Sequence, residues 1–552
     1  MDGVCRNHRD PAAIRDDLDR KLILHFTSCN ISFRSIENES FINFVNTLLV
    51  AGIRYTLPHW KTVAGPILES LAADIDLDKI DLFNGTRAVL MIDGYKVKNA
   101  NIKLFAFSMK NIHCDIAFLA EIDISLESET AANLWRIIQF VTVRTEARYN
   151  VRIVGAVHDG DPKIVAAVRD ATNSAGGVFW QSTCNSHSGN LLVHHFANND
   201  QMDKVKAVVT LYKEPRFEAL LIRAGGTRVK NPPPHRFHYA KDAIASIVRN
   251  WDHLEAITVA ERARVPDRTA EYILNDGGFR YWLDRTYQLL IQICRLIKRC
   301  ESPKYNVADA TQEWMTLDLR TDEYDQIIRE RIEKAVYPVG CLANMLHPRY
   351  RGNQLTPYQR RLGELFMRNR LSQGVNNEYL HYINNIGNYA RLADASTSAI
   401  DYWTLVRLRY QHLGECAVNL MLMPASIATL EGMFSGWGWI HSPLRNRLSL
   451  TTSSRLQVAA IIFFVKNERG LHRRNGGSVD DQIVDMELGE HVAVGARGEE
   501  RDASPFFLES QRFAAILGKP AKLEHLLSTW HSFSLLAEVV LLHSFTAKLN
   551  IG

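Results

Sequence analysis

The stretch RAVLMIDGYKVKNANIKLFAFSMKNIHCDIAFLAEIDIS, residues 87–125, carries three apolar, β-branched runs at 87–97, 101–110 and 114–125, separated by short turn segments. Runs of that length and composition predict three consecutive strands. The period then changes. SETAANLWRIIQFVTVRTEARY (128–149) repeats its apolar residues at three and four, as a helix does, and VRIVGAVHDG (151–160) reads as a buried strand. DPKIVAAVRDAT (161–172) opens a helix with Pro162 in its first turn, and GGVFWQST (176–183) is a fifth strand. The predicted order is β-β-β-α-β-α-β.

Outward from this block, residues 13–75 show helical spacing, with a break in chain direction at Pro58. Residues 200–224, 240–257 and 279–300 are helical as well, and GGTRVKNPPPHR (225–236) reads as a loop between the first two. At 552 residues the chain is more than one domain's worth, and 46% apolar residues suffice for sizeable cores. A formal charge of +4 is too small to mark a nucleic-acid binder by itself, so any basic surface must be local. The eight cysteines form no C-x-x-C pair and no secretory leader is seen, which predicts a reduced, intracellular protein. No apolar run reaches the roughly 18 residues of a membrane span, so no membrane association is expected.

Two acids stand out in the α/β block: Asp93 closes the first strand and Asp159 closes the fourth. An Asp before Gly after a strand is ordinarily a turn former or a cap. The order of elements with acids at these two places is, however, that of ribonuclease-H-like nucleases, in whose sheet the first and fourth strands are neighbours. Two carboxylates about 4 Å apart at an effective dielectric of about 20 repel by about 4 kcal/mol, so a proton or a cation must neutralise them.

Downstream motifs sharpen the resemblance. STCNSHSGNLLVHH (182–195) carries Cys184, His187, Asn190 and Leu191 in a C-x-x-H-x-x-N-L pattern, and MLHPRYRGNQLT (345–356) carries Leu346, Pro348, Arg349 and Tyr350 of an L-D-P-R-Y pattern. Residues 401–449 hold Trp403, the Pro424-Ala425-Ser426 step, Glu431, Phe434-Ser435, Gly438 and the Arg445–Ser449 run. Together these resemble the hAT family of DNA transposases over roughly residues 13–466, with 401–449 similar to its C-terminal dimerisation segment. Motifs in the right order carry weight that each lacks alone.

The resemblance implies a fold of α/β plus α type: a ribonuclease-H-like mixed five-stranded sheet interrupted by a large all-helical insertion. It implies a third acid, Glu431, on a helix after the insertion, completing a DDE set with Asp93 and Asp159. The three would bind two Mg²⁺ (or Mn²⁺) ions and act on DNA phosphodiesters, by cut-and-paste excision with a hairpin on the flanking DNA. Judged alone, a helix glutamate in IATLEGMF is usually on a solvated face. His187 is implied as a phosphate contact. Arg236 and Phe237 of HRFHY would take the place of the family's T-R-W element, where the aromatic ring stacks on a flipped base. Cys184 and His187 are half of a zinc site, or else a buried thiol and a hydrogen-bonded histidine at a helix start. Arg349 opens a basic and aromatic run to Arg370 suited to phosphate contacts, though a solvated helix face looks the same. Partners implied are DNA and a second copy of the chain, in the nucleus.

The departures are Gly432 where the family has Arg, His347 where it has Asp, Tyr95 where it has Trp, and only Cys5 and His8 in place of a BED-type finger. They support an alternative: a catalytically inactive, transposase-derived, dimerising DNA-binding or scaffold protein. The expected organisation is a disordered start (1–12), an N-terminal helical region (13–80), the first part of the core (81–200), a helical insertion (201–400), the core end and dimerisation segment (401–466), a linker (467–504) and C-terminal helices (505–552).

Overall fold

The computed structural model describes residues 18, 21–22, 33–51, 58–97, 102–174, 179–197, 200–231, 239–318, 325–384 and 398–440. The expected start (1–12), linker (467–504), C-terminal helices (505–552), Arg236, Phe237 and the Arg445–Ser449 run lie outside the described residues. The chain divides into two compact units, Met1–Ile67 and Leu68–Gly552. In the first, a 3₁₀ turn (Phe33–Glu37) leads into helix α1 (Glu39–Ala51), none of whose residues is buried. Non-helical backbone at Gly65, followed by Pro66, breaks the helical run near the end of this unit.

The second unit opens with α2 (Leu68–Phe83) and then a five-stranded mixed sheet: β1 (Arg87–Val97), β2 (Ile102–Asn111), β3 (Ile116–Asp123), β4 (Arg152–His158) and β5 (Trp180–Thr183). Their spatial order is β3-β2-β1-β4-β5. The first three strands form an antiparallel meander, and β4 and β5 continue it in parallel with β1. Parallel neighbours need crossovers, supplied by α3 (Ala131–Tyr149) between β3 and β4 and α4 (Pro162–Ser174) between β4 and β5. The expected β-β-β-α-β-α-β order is therefore present, with the first and fourth strands side by side.

Both faces of the sheet are covered, which is why β1 and β2 read as near-continuous apolar runs. Ala88, Leu90 and Ile92 of β1 face α3 and α4 together with Phe105 and Phe107, whereas Val89 and Met91 face the helical block with Ala106 and Phe118. Helix α2 is fastened to the first layer: Tyr149 Oη donates to Asp76 at 2.6 Å, and Arg148 pairs with the same carboxylate.

After β5 the chain is helical through α5 (Asn185–Ala197), α6 (Asp200–Tyr212), α7 (Pro215–Arg223), α8 (Tyr239–Ala260), α9 (Asp267–Leu274), α10 (Gly277–Cys300) and α11 (Val307–Thr316). It continues through α12 (Asp325–Ala335), α13 (Pro338–Leu346), α14 (Pro357–Arg370), α15 (Gln373–Ile383), α16 (Ala399–Val406), α17 (Gln411–Leu422) and α18 (Ala428–Ile440). Segment 200–224, read as one helical stretch, is two helices because Pro215 starts a new one. Gly189 lets α5 and α10 approach, since a Cβ there would lie 2.7 Å from Ile297 Cγ1. No described helix is long and apolar enough to cross a membrane.

Candidate active site

Asp93 does not end β1. The strand runs on to Val97, paired with β2 only. What ends at Ile92 is the parallel pairing, whose last partners are Ile92 and His158. Asp93 and Asp159 are thus the next residues along two adjacent parallel strands, where the backbones begin to separate. Side chains alternate along a strand, so Asp93 shares the face of Val89 and Met91, the one turned to the helical block.

A bulge puts Asp159 on that same face. Ala88 pairs with Ile153, but Val89 pairs with Gly155, so Val154 is an extra residue in β4. Gly155 is required there, because a Cβ would lie 2.4 Å from the Trp180 carbonyl oxygen of β5. Beyond the bulge the chain turns at Gly160, whose φ is +94°. Gly160 N–H donates to His158 Nδ1 at 3.1 Å and Asp161 N–H to Asp159 Oδ1 at 3.0 Å, while Gly94 N–H donates to Asp93 Oδ1 at 2.8 Å.

Glu431 reaches the same edge from α18. The approach to this helix is fixed by a knot of buried groups around residues 424–427. Asn185 N–H and Asn185 Nδ2 both donate to the Ala425 carbonyl at 3.0 Å, and Trp314 Nε1 donates to Asn185 Oδ1 at 2.9 Å. Ile427 N–H and His187 N–H donate to Cys184 Sγ at 3.5 and 3.4 Å, and Ser426 Oγ donates to the Cys300 carbonyl at 2.9 Å. Cys184 is accordingly a fully buried thiol that ties the start of α5 to the start of α18, with burial raising its pKa. Helix α18 then lies on β1, where Phe434 stacks on Tyr95 with ring centroids 4.7 Å apart.

The electrostatics register the convergence of the three acids. Burial first, then the charges of Asp159 and Glu431, push the Asp93 carboxyl up to about 8. Burial, Glu301 and Asp159 push Glu431 up to about 7. Glu431 Oε2 is buried without a hydrogen-bond partner among the described residues. Glu301, at the end of α10, is a fourth carboxylate raised by burial, and nothing in the sequence marked it because it reads as an ordinary polar residue after a helix.

The donor set suits a hard divalent cation: carboxylate oxygens, mutual repulsion and one acceptor atom with nothing to accept. The spacing is looser than expected for a closed set, since among the described residues no three His, Cys, Asp or Glu side chains stand so that they could hold one ion as they are. Of the other expected contacts, His187 is half-buried on α5, feels the charge of Asp159 and has its pKa lowered by burial. Arg349 belongs to a second cluster. It is exposed beside Asp309, which accepts from Tyr350 Oη at 2.8 Å, and His347 stacks on Tyr350 at 4.0 Å. No protein-family model matches the chain, and no curated protein matches it.

Proposed function

We propose that the protein is a metal-dependent DNA nuclease of the DDE type, ribonuclease-H-like in fold and similar to hAT transposases in its motifs. The observation that carries this reading is the position of Asp93, Asp159 and Glu431. Three acids spread over more than 300 residues of chain come to one edge of the sheet, where the charges of the other two weigh against ionising Asp93. Proteins place like charges together at a cost, and functional sites are where that cost is tolerated. The strand order β3-β2-β1-β4-β5 and the return of a late helix onto β1 support the fold assignment.

In this reading Asp93, Asp159 and Glu431 hold Mg²⁺ or Mn²⁺, which when bound would lower the pKa of an attacking oxygen and stabilise a leaving one. His187, kept neutral by burial, offers a ring N–H to a phosphate oxygen beside Asp159. Tyr95 and Phe434 hold α18 at the depth that presents Glu431. A second copy of the chain and a nuclear setting follow from the same reading.

The test is nicking of supercoiled DNA by the full chain with Mg²⁺, Mn²⁺ or a chelator. Asp93→Ala, Asp159→Ala and Glu431→Ala should each reduce nicking by at least about 100-fold, the scale of one lost electrostatic group in catalysis. Nicking that persists in chelator, or in the triple variant, sinks the reading. One observation favours the alternative, a non-catalytic dimerising DNA-binding protein: the described side chains form no ready group of three around one ion. That protein would bind DNA and self-associate in light scattering without cutting, indifferent to the three substitutions.

A further inference from the structure

Helix α12 packs on α5, the helix that carries His187. Its inward face is set by Ile328 and Ala335, both buried, and Arg331 occupies the intervening position on that face. Arg331 is half-buried. The acids of its own helix serve elsewhere: Glu330 accepts from Gln326 at 3.1 Å on the outer face, and Glu333 is exposed. Among the described residues Arg331 has neither a hydrogen bond nor an ion pair to any carboxylate. Its charge reaches His187, which in turn feels Asp159. A guanidinium that has lost part of its water and gained no anion is an incomplete arrangement, because arginine on an inward face is ordinarily matched by an acid. Its guanidinium is therefore open to an anion, with no carboxylate beside it among the described residues.

We infer that Arg331 is a phosphate contact for the DNA strand, holding it on the His187 side of the acidic edge formed by Asp93, Asp159 and Glu431. The inference rests on the nuclease reading and adds a binding residue to it. The acids by themselves repel a polyanion, so a strand crossing them needs a cation beside the edge as well as any metal in it. The flat fork of a guanidinium grips two phosphate oxygens at once, which a lysine ammonium does not.

The experiment uses the full chain and a fluorescently labelled duplex DNA, with Ca²⁺ replacing Mg²⁺, and reads anisotropy over a series of salt concentrations. Arg331→Gln should weaken binding about 10-fold, the worth of one hydrogen bond to a charged group, and make the salt dependence shallower by about 0.9 in log–log slope, one phosphate's share. Arg331→Lys should keep the wild-type slope and recover only part of the affinity. Thermal melting of each variant separates lost contact from lost fold. If Arg331→Gln melts normally and binds with wild-type slope and affinity while the wild type still cuts DNA with metal, the inference fails and the nuclease reading stands. Should the glutamine variant not fold, the lysine variant decides: undiminished affinity overturns the contact, and reduced affinity at unchanged slope supports it. If the wild type binds no DNA at any salt concentration, both fall together.

Discussion

A carboxyl group that is largely out of water and beside other carboxylates keeps its proton to a higher pH than it would in the unfolded chain. Asp93 is in that position, pushed up to about 8 from the ordinary 3.8. Without metal, folding at pH 8 must therefore either take up a proton or confine a charge, and both oppose the folded state. Asp93→Asn keeps the shape and removes the charge. The metal-free variant should be more stable than wild type at pH 8 by about 2–4 kcal/mol, after discounting for solvent that reaches the edge, and equal to it near pH 4. Urea unfolding at the two pH values checks this, and a variant no more stable at pH 8 would mean the repulsion is already relieved by water. On the nuclease reading the same substitution should abolish cleavage, a trade of stability against activity. At this scale the sequence was partly legible. Two Asp-Gly steps drew attention to Asp93 and Asp159 and motif order to Glu431; the structure places Asp93 inside β1 rather than at its end, at the edge that Asp159 shares. Glu301 was hidden, because only folding brings the end of α10 to a helix 130 residues further on.

Strand order was legible because connection lengths constrain it: short links make the meander, and helix-bearing crossovers make β4 and β5 parallel to β1. The register was not. A one-residue slip in a strand sends every later side chain to the other face, and nothing in RIVGAVHD says that Val154 is the extra residue. Only the packing shows why Gly155 follows it. Gly155→Ala would drive a methyl into the Trp180 carbonyl, which is backbone and has no rotamer by which to yield. The expected cost is about 2–4 kcal/mol, from strain between two core strands. Cleavage by the folded fraction should fall further than stability does, since relief of the strain means shifting β4 and with it Asp159. Denaturant unfolding alongside the nicking assay separates the two effects; full activity at reduced stability would show that the bulge does not position the acid. The Tyr95–Phe434 stack is a second feature of this scale that the sequence withheld, for it joins a residue of the IDGY step to one of the late MFS step.

Over the whole molecule, opposing sets of buried titratable groups bound the pH range in which the metal-free chain is stable. His158 and His347 are buried as neutral rings, lowered by burial to about 4 and about 3 from the ordinary 6.5. Below about pH 6.5 the unfolded chain takes up protons that these rings refuse, so their contribution is present above pH 6.5 and is lost as pH falls toward 4 and 3. Asp93 and Glu431 act in the other direction. Their protonated forms are stable in the fold up to about 8 and about 7, so their contribution is full below about pH 4 and is lost as pH rises through that range. The sum is a maximum in mildly acidic solution with losses on both sides. A divalent cation should change only the alkaline side, because it replaces the protons on the carboxylates, binds more tightly as they leave, and stabilises whatever state binds it. Melting temperatures measured from pH 4 to 9 should therefore trace a dome without metal and a plateau above pH 7 with Mg²⁺, and the difference between the two curves should vanish in Asp93→Asn, whose alkaline side is already flatter without metal. A dome of the same shape with and without Mg²⁺ would leave the acids repelling one another with no cation to answer, and would count against their use as a metal site.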